Sequence, residues 1–280
     1  MNDRLIGFIG TGQIGEPMVE RLLRAGRRVS VLARRPEVRD RLAAAGATMV
    51  NHPSELADVD VLAACLFDDD QIREVCVPVV EQLRPGAVFV SHTTGSPKFI
   101  RSLGVSTTAG GVGVVDASFS GTAEGIRRGE LTVMLGGDDD HVSVAAQVVG
   151  DYADRILRTG PLGSALSVKL LNNVLFAACT QLTLTAIDAA TSLGIDEDDF
   201  LGVLATTSGG SAAAGYLAAA PIPAAEFAKH LPHFLAKDVA AAHAAAADLD
   251  LDIDDLVAAT RLGPMELHSL DPAGAVIAQP

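Results

Sequence analysis

Residues 5–15 read Leu-Ile-Gly-Phe-Ile-Gly-Thr-Gly-Gln-Ile-Gly, and this stretch decides the fold of the first half of the chain. The apolar run Leu5–Ile9 predicts a short parallel strand that is buried on both faces. A G-x-G-x-x-G pattern follows at once, and a helical pattern of apolar residues then runs to Gly26. A strand, a glycine-rich loop and a helix in this order predict the first unit of a doubly wound parallel sheet.

The glycine-rich loop has the spacing of a pyrophosphate-binding site. Gly10 permits a tight turn, Gly12 lets the backbone approach the phosphates, and Gly15 allows the helix to pack closely on the strand. An ordinary glycine turn and a methyltransferase loop are the alternatives, but the position between a strand and a helix favours dinucleotide binding. The residues expected to contact the cofactor here are Gly10, Thr11, Gly12, Gln13, Ile14 and Gly15.

The second apolar run, Arg28–Leu32, ends in Ala33-Arg34-Arg35. Sites selective for NAD usually carry an acid at this point, which accepts hydrogen bonds from the adenosine ribose. The chain has no acid there, and a guanidinium fork matches a phosphate dianion. Arg34 and Arg35 therefore favour NADP as the cofactor, with NAD as the alternative. The other interpretation is that both arginines only cover the start of the following helix.

Strand and helix patterns continue to alternate as far as residue 160. They predict an α/β fold with a doubly wound, Rossmann-type, mainly parallel sheet in a dinucleotide-binding domain of residues 1–160. Ligands of such sheets bind outside the carboxyl ends of the strands, so Phe67, Thr94 and Ser120 are expected around one crevice. The later predicted strands are Val59–Cys65, Ala87–Val90, Val112–Val115, Leu131–Leu135 and Arg155–Leu157, and the predicted helices include Gln71–Leu83 and Asp138–Ala153.

Strand patterns are absent after residue 160, which predicts an all-helical C-terminal domain of residues 161–280. A long helix over Leu162–Leu193 begins this domain and joins it to the first one. Its apolar residues cover nearly every side, so we expect it to be buried on most of its circumference. Shorter helices are predicted at Glu197–Thr206, Ala212–Ala219, Phe234–Leu249 and Ile253–Leu262.

The long helix carries a lysine among apolar neighbours. Asn173 follows Lys169 by four residues, so the ammonium and the amide lie on the same helix face. A lysine in apolar surroundings has a lowered proton affinity and can act as a general acid or base. The alternative is a lysine whose ammonium reaches solvent beside an ordinary asparagine.

Composition and charge exclude several classes of partner. Thirty-five acidic against 21 basic residues give a formal net charge of −14, which repels nucleic acid and anionic membranes. The N-terminus, Met1–Arg4, leads straight into the first strand without a secretion signal, and no apolar run is expected to be long enough to span a bilayer. We therefore expect a cytoplasmic protein with neither a membrane nor a nucleic acid partner.

No metal site is expected. Cys65, Cys76 and Cys179 lack metal or redox spacing and are interpreted as small buried apolar residues. Asp68-Asp69-Asp70 is interpreted as a solvated helix start. His230 and His233 lack a third ligand, and Pro232 between them indicates a loop. His92 is interpreted as a loop donor and not as a base.

Four separated motifs resemble one family, the β-hydroxyacid dehydrogenases, which include 3-hydroxyisobutyrate dehydrogenase and the glyoxylate/succinic semialdehyde reductases. The segment Gly7–Met18 is similar to the family's cofactor fingerprint, including its proline–methionine ending. Asp116–Thr122 is similar to the family's substrate loop, and Gly160–Asn173 to its catalytic segment. Lys237-Asp238 falls where the family has a lysine–aspartate pair, so the resemblance covers nearly the whole chain.

The resemblance implies an oxidoreductase that interconverts a small hydroxy acid and its aldehyde or keto acid, so the partner is a small substrate with a carboxylate. Lys169 would be the catalytic proton donor and acceptor. Family members are commonly dimers or tetramers, which implies a homo-oligomer such as a homodimer. The residues that would bind substrate are Ser120, Gly121, Thr122, Asn173 and Asp238, and those that would contact the cofactor beyond the glycine loop are Phe67, Thr94 and Lys237.

Some residues differ from the family pattern and leave the substrate open. The family usually has proline at the place of Ser118 and glycine at that of Thr122, and it often has glutamate at the place of Thr185. Some aldehyde-acid reductases carry phenylalanine where this chain has His230. Two other functions remain open: an imine reductase of the same fold, which generally lacks the lysine, and a non-catalytic NADPH-binding module.

Overall fold

The computed structural model of the protein describes residues 4–267. Met1–Asp3, on which the expectation about a secretion signal depends, and the end of the predicted C-terminal domain, residues 268–280, lie outside the described residues. The chain forms two compact units that divide between Lys169 and Leu170. The sequence pattern predicts a domain boundary before the long helix, at residue 160, whereas the compact units divide within that helix.

The centre of the first unit is one sheet of eight strands within the described residues. The strand order is β3-β2-β1-β4-β5-β6-β7-β8, and every neighbouring pair is parallel except β6 and β7. This order confirms the predicted doubly wound, mainly parallel sheet. The strands are β1 Leu5–Ile9, β2 Arg28–Leu32, β3 Thr48–Val50, β4 Val61–Ala64, β5 Val88–Ser91, β6 Gly113–Ser120, β7 Thr132–Gly136 and β8 Arg155–Gly160.

Apolar residues lie on both faces of the central strands because helices cover both sides of the sheet. In β1, Ile6 and Phe8 are fully buried in the core on one face, whereas Ile9 belongs to the core on the other face. In β4, Ala63 and Leu62 divide between the two cores in the same way. The short apolar runs of the sequence therefore form strands by burial on both sides.

Helices account for the rest of the regular structure in residues 4–267, together with a 3-10 turn at Pro53–Leu56 and a π-helical segment at Ile72–Cys76. In the first unit they are α1 Gly15–Arg24, α2 Pro36–Ala44, α3 Asp69–Gln71, α4 Val77–Val80, α5 Pro97–Thr108, α6 Ala123–Arg128 and α7 Asp139–Val149. The long helix α8 Ser164–Ser192 follows. The remaining helices are α9 Glu197–Leu204, α10 Ala212–Ala218, α11 Ala224–Ala228, α12 Pro232–Ala247 and α13 Asp254–Ala259.

Several predicted boundaries were wrong. β6 continues to Ser120, so most of the predicted substrate loop is strand, because it pairs with β7 in antiparallel register. The single helix predicted over Gln71–Leu83 is divided by the π-helical segment. Helix α12 begins at Pro232, where the sequence indicated a loop, since proline is tolerated in the first turn of a helix. Strand β3 and helices α5, α6 and α11 were not predicted.

Helix α8 is long and apolar enough to cross a membrane by length and composition alone, so the expectation that no segment meets those criteria was wrong. More than half of its most apolar 18-residue stretch is buried, which is also the pattern of a helix in a protein core. Its burial is less complete than predicted. Leu171, Leu175 and Leu182 are exposed on one side of the helix.

The second unit has a core of its own around α8. Gln181 is fully buried there, and its amide nitrogen donates to the carbonyl oxygens of Thr260 and Met265, each at 2.8 Å. Its amide oxygen accepts the N–H of Met265 at 2.8 Å. These bonds hold the turn after α13 against α8. The buried apolar residues of this core include Leu170, Val174, Leu184, Ile187, Leu201, Leu217, Leu235, Val239 and Val257.

Candidate active site

The carboxyl ends of four neighbouring parallel strands form one edge of the sheet. Ile9, Ala64 and Ser91 lie side by side at the ends of β1, β4 and β5. Strand β6 pairs with Ser91 through Asp116 and continues beyond that level to Ser120. The chain order reverses between β1 and β4, and doubly wound sheets bind their ligands at this point.

The glycine loop after β1 needs its glycines for steric reasons. A Cβ atom at Gly10 would lie 2.2 Å from the carbonyl oxygen of Cys65, and the backbone there has φ +95°. A Cβ atom at Gly15 would lie 1.9 Å from the carbonyl oxygen of Gly10, so only glycine lets α1 start this close to the loop. A Cβ atom at Gly12 would have no described atom within 4 Å, so the loop is open there.

The start of α1 fits the phosphates of a dinucleotide. In the described part of the chain no side chain caps this helix at Ile14. The N–H of Glu16 donates to the carbonyl oxygen of Gly12 at 3.1 Å and Pro17 has no N–H, so Gly15 is the first-turn residue whose N–H can bind an anion. Glu16 in the first turn carries a negative charge, but the Arg41 guanidinium lies 2.7 Å from its carboxylate and neutralises it. Thr11, Gln13 and Ile14 complete the loop between β1 and α1.

The two arginines after β2 differ in their contacts. Arg35 donates to the carbonyl oxygen of Thr11 at 3.0 Å, so it fixes the glycine loop. It also lies 3.9 Å from a carboxylate oxygen of Glu16 and 4.0 Å from one of Glu37. Arg34 is exposed and makes no hydrogen bond or ion pair with the described residues. Arg34 therefore retains a guanidinium that another group can pair with.

Phe67 and Thr94 lie in the loops after β4 and β5, at the same edge of the sheet. Phe67 is 44% exposed, and its N–H donates to the side-chain oxygen of Gln71 at 3.2 Å. Thr94 is half-buried. The N–H of Ser96 donates to the Asp69 carboxylate at 2.8 Å, which ties the two loops together.

The acidic run Asp68-Asp69-Asp70 begins a helix, as the sequence analysis interpreted it. The carboxylate of Asp68 caps α3 by accepting the N–H of Gln71 at 2.9 Å. Asp70 is paired with Arg73 at 2.5 Å.

The end of β6 presents the predicted substrate residues. Ser120 is the last residue of the strand and is half-buried. Gly121 follows with φ +144°, and a Cβ atom there would lie 2.9 Å from the side chain of Leu131. The hydroxyl of Thr122 accepts the N–H of Gly125 at 3.1 Å and so caps α6. Its hydroxyl proton remains available for a further acceptor.

Lys169 lies beside the end of this strand. The residue is half-buried in α8, and its Nζ lies 5.9 Å from the centre of the Phe119 ring. Phe119 directly precedes Ser120. The structure therefore brings Lys169 to the substrate segment that the sequence assigned to it, although the two are far apart in the chain.

Asp116 positions the helix that carries Lys169, and the sequence analysis did not single out this role. Its two carboxylate oxygens accept the N–H groups of Gly163 and Leu166, each at 2.8 Å. Asp116 is fully buried, and this burial raises the pKa of its carboxyl while the hydrogen bonds oppose the rise. A Cβ atom at Gly136 would lie 2.5 Å from Oδ1 of Asp116, so the site requires glycine there.

His92 is a buried structural residue, not a base. Its Nδ1 lies 2.6 Å from the carbonyl oxygen of Ala117, and its Nε2 lies 2.8 Å from the hydroxyl of Tyr152. A carbonyl oxygen only accepts, so Nδ1 carries the proton and the Tyr152 hydroxyl donates to Nε2. Burial lowers the pKa of His92 to about 4, so the imidazole is neutral near pH 7. Tyr152 was not predicted as its partner.

In the second unit, the structure brings together three of the predicted residues. The side-chain nitrogen of Asn173 donates to Oδ2 of Asp238 at 2.5 Å, and its oxygen accepts from the amide of Asn172 at 3.1 Å. The Lys237 ammonium lies 3.3 Å from Oδ1 of Asp238. This oxygen is buried and has no hydrogen bond from the described residues, so its negative charge is balanced by the ion pair with Lys237. Asn173 lies one helical turn after Lys169 in α8.

The residues that differ from the family pattern have different surroundings. The hydroxyl of Ser118 is buried without a hydrogen-bond partner among the described residues. Thr185 donates to the carbonyl oxygen of Gln181 at 3.0 Å and lies 3.4 Å from that of Leu262. His230 is exposed.

The cysteines are only partly as predicted. Cys76 is buried, whereas Cys65 and Cys179 are half-buried. Burial raises the pKa of the Cys65 and Cys76 thiols to about 12, which keeps them from acting as nucleophiles near neutral pH. Residues 4–267 contain no group of three or more histidine, cysteine or acidic side chains that could hold a metal ion.

Comparison with known proteins identifies the type of the first unit. Residues 5–160 match the family model described as the NAD binding domain of 6-phosphogluconate dehydrogenase. The matched stretch includes the glycine loop, both arginines and the whole of the sheet. The glycine loop is therefore part of an NAD(P)-binding domain.

Two relatives of known name and one solved structure extend the likeness. L-threonate dehydrogenase of Cupriavidus necator is 30% identical over 213 residues, which are 74% of this chain and 72% of the relative. The mitochondrial 3-hydroxyisobutyrate dehydrogenase of Drosophila melanogaster is 27% identical over 73% of this chain, a match that spans only 64% of the relative.

The solved structure of Mycobacterium tuberculosis 3-hydroxyisobutyrate dehydrogenase with L-serine superimposes with a TM-score of 0.82 at 25% identity and covers 92% of each chain. The resemblance that the four sequence motifs predicted is thus confirmed by three kinds of comparison. The chain belongs to the β-hydroxyacid dehydrogenase family of oxidoreductases.

Proposed function

We propose that the protein is an NADP(H)-dependent oxidoreductase that interconverts a small hydroxy acid and its aldehyde or keto acid, with Lys169 as general acid and base. One observation carries the proposal. The Lys169 ammonium lies 5.9 Å from the centre of the Phe119 ring, and Phe119 precedes Ser120 at the sheet edge where the glycine loop also begins. A proton donor, a carboxylate-binding segment and a dinucleotide loop are the parts that this reaction requires.

The chemistry divides between cofactor and protein. The nicotinamide cofactor, when bound, supplies or accepts the hydride at the substrate carbon. During reduction the carbonyl oxygen gains negative charge, and the Lys169 ammonium stabilises that oxygen and donates a proton to it. During oxidation the neutral amine of Lys169 accepts the hydroxyl proton.

We assign the binding of the substrate carboxylate to residues at the end of β6. Ser120 offers a hydroxyl, and the hydroxyl proton of Thr122 is available because its oxygen, not its proton, caps α6. Gly121 adds a backbone N–H without a side chain. These neutral donors suit a carboxylate because they form hydrogen bonds with it and leave Lys169 for the reacting oxygen.

In the second unit, we assign to Asp238 the role of orienting the side chain of Asn173. With its oxygen bonded to Asn172 and one N–H bonded to Asp238, the Asn173 amide cannot flip without losing both bonds. Its second N–H is then directed by these contacts and available to a substrate oxygen. Lys237 keeps the buried Asp238 charge paired and is assigned to the cofactor, as the family resemblance implies.

The NADP preference rests on Arg34. An exposed guanidinium after β2, without an acid to receive the ribose hydroxyls, suits the 2′-phosphate of NADP. Arg35 already binds the Thr11 carbonyl oxygen and lies near two carboxylates, so its charge is largely compensated.

The test is NADPH oxidation by the purified protein against glyoxylate, succinic semialdehyde, methylmalonate semialdehyde and a cyclic imine. Turnover of an aldehyde acid is expected. Lys169→Ala should lower that turnover by roughly two to four orders of magnitude while NADPH affinity is nearly kept. Lys229→Ala, which removes an exposed lysine paired with Glu226, is the control and should retain turnover.

Other outcomes would support the two alternative functions. Turnover of the cyclic imine alone would identify an imine reductase. NADPH binding without turnover of any substrate would indicate a non-catalytic module. Full turnover by the Lys169→Ala variant would rule out the assigned role of that residue.

We also propose that the protein is a homo-oligomer, and we assign α8 to the contact. Leu171, Leu175 and Leu182 are exposed, and their spacing places them on one face of the helix. Exposed leucines in a row along a helix are typical of a protein–protein contact. Leu182→Glu should lower the mass measured by light scattering after gel filtration, whereas Val203→Glu, at an exposed position on α9, should not.

A further inference from the structure

The ring of Phe119 lies near two basic side chains, one of which is charged and one neutral. The Lys169 Nζ lies 5.9 Å from the ring centre, within the distance at which an aromatic ring attracts a cation. The imidazole of His92 meets the same ring edge-on, with the ring centres 6.4 Å apart and the planes at 62°. The ring therefore lies between a cation and a buried histidine.

The histidine side of this arrangement is rigid. Both ring nitrogens of His92 are engaged, one by the Ala117 carbonyl oxygen and the other by the Tyr152 hydroxyl. Tyr152 is fully buried and also packs edge-on against the imidazole, with ring centres 5.7 Å apart. Because burial keeps His92 neutral near pH 7, the imidazole does not compete as a cation with the lysine for the ring.

Strand pairing fixes the backbone that carries the ring. Phe119 belongs to the antiparallel part of β6 and pairs with Val133 of β7, which is fully buried. The next residue is Ser120, whose hydroxyl is the proposed hydrogen-bond donor to the substrate carboxylate. The pairing fixes the backbone from which the ring projects, and the ring in turn lies within reach of the Lys169 ammonium.

We infer that Phe119 is a positioning residue, whose aromatic face holds the Lys169 ammonium at the end of β6, where the proposed substrate segment begins. The inference rests on the proposed role of Lys169 and adds a residue to it. An attraction of this kind is worth about 0.5–2 kcal/mol, which corresponds to roughly a two- to thirty-fold effect on turnover. An aliphatic side chain of similar volume would fill the space but would not attract the cation.

The test removes or weakens the attraction between the ring and the cation. Phe119→Leu should lower kcat by roughly two- to thirty-fold and leave the KM for NADPH unchanged, whereas Phe119→Tyr, which keeps the aromatic face, should retain the kcat of the wild type. Fluorinated phenylalanines at position 119 preserve the shape and progressively weaken the attraction, so kcat should fall with each added fluorine. This series answers the question even where Phe119→Leu fails to fold.

A double substitution separates positioning from a general structural role. In a Lys169→Ala background, Phe119→Leu should have no further effect on the residual rate, because the cation it holds is gone. An equal loss in both backgrounds, or a kcat that does not depend on the number of fluorines, would overturn the inference. Full turnover by Lys169→Ala alone would instead overturn the proposed function on which it rests.

Discussion

The carboxylate of Asp116 accepts the backbone N–H of Leu166 at 2.8 Å, and so joins the strand that ends at Ser120 to the helix that carries Lys169. The second oxygen accepts the N–H of Gly163 in the same way. The first N–H groups of a helix have no partner within the helix, and one buried side chain satisfies two groups at this end. The position of Lys169 therefore depends on a fully buried residue 53 positions earlier in the chain, through its hydrogen bonds to the start of the helix.

Asp116→Asn should destabilise the first unit. An amide has one acceptor oxygen, so one of the two N–H groups would lose its acceptor and face a donor. The free energy of unfolding should fall by about 1–3 kcal/mol in urea titrations. Asp138→Asn is the control, because that exposed side chain makes no capping hydrogen bond. Equal unfolding midpoints for the two variants would contradict the role of Asp116.

Gly136→Ala should have a related effect for a steric reason. The new Cβ would lie 2.5 Å from Oδ1 of Asp116 and 2.7 Å from the hydroxyl of Ser164, so the start of α8 would have to move. We expect a loss of about 1–3 kcal/mol in unfolding free energy, and a lower kcat because Lys169 moves with the helix. Gly202→Ala in α9, where no described atom lies within 4 Å of the new Cβ, should instead be neutral or stabilising.

Local sequence patterns predicted the parts of the fold that depend on neighbouring residues. The strand, glycine loop and helix over residues 5–24 were predicted because each signal lies within a few positions of the next. Helices α5 and α6 also carry such signals, in the caps Ser96 and Thr122, and both were missed. These caps are local signals that predict the starts of both helices.

Other parts could not be read from local patterns. The end of β6 contains aspartate and serine, which disfavour strands, and it is a strand because β7 pairs with it and α8 satisfies the Asp116 carboxylate. The contacts of Lys169 with Phe119 and of His92 with Tyr152 join residues 50 and 60 positions apart. Motif spacing identified Lys169, but its surroundings required the three-dimensional structure.

The buried imidazole of His92 should make stability depend on pH. Its pKa is about 4 in the folded protein against an ordinary value of 6.5, so the unfolded chain takes up a proton first as the pH falls. The stability of the folded protein is unaffected by this group above pH 6.5. As the pH falls from 6.5 to 4, the free energy of unfolding decreases by about 3 kcal/mol.

Urea titrations at several pH values would measure this effect. The wild type should lose more stability between pH 7 and pH 4.5 than His92→Gln, which has no proton to bind. His230→Gln, which removes an exposed histidine, should behave as the wild type. The same pH slope in all three proteins would show that His92 does not carry the effect.

The two arginines after β2 should differ in what they do for the cofactor. Arg35 holds the Thr11 carbonyl oxygen, so Arg35→Ala should loosen the glycine loop and weaken NADPH and NADH binding by similar factors. Arg34 has no such contact, and its loss should weaken NADPH binding alone, by roughly ten- to a hundred-fold if a charge-assisted pair worth about 1.5–3 kcal/mol is removed. Dissociation constants measured by cofactor fluorescence at one fixed salt concentration would separate the two effects.

Arg28→Ala, at an exposed position at the start of the same strand, is the control and should change neither constant. If Arg34→Ala lowered the affinity for both cofactors equally, the selectivity would have to come from elsewhere, because a residue that binds only the 2′-phosphate cannot affect a cofactor that lacks it.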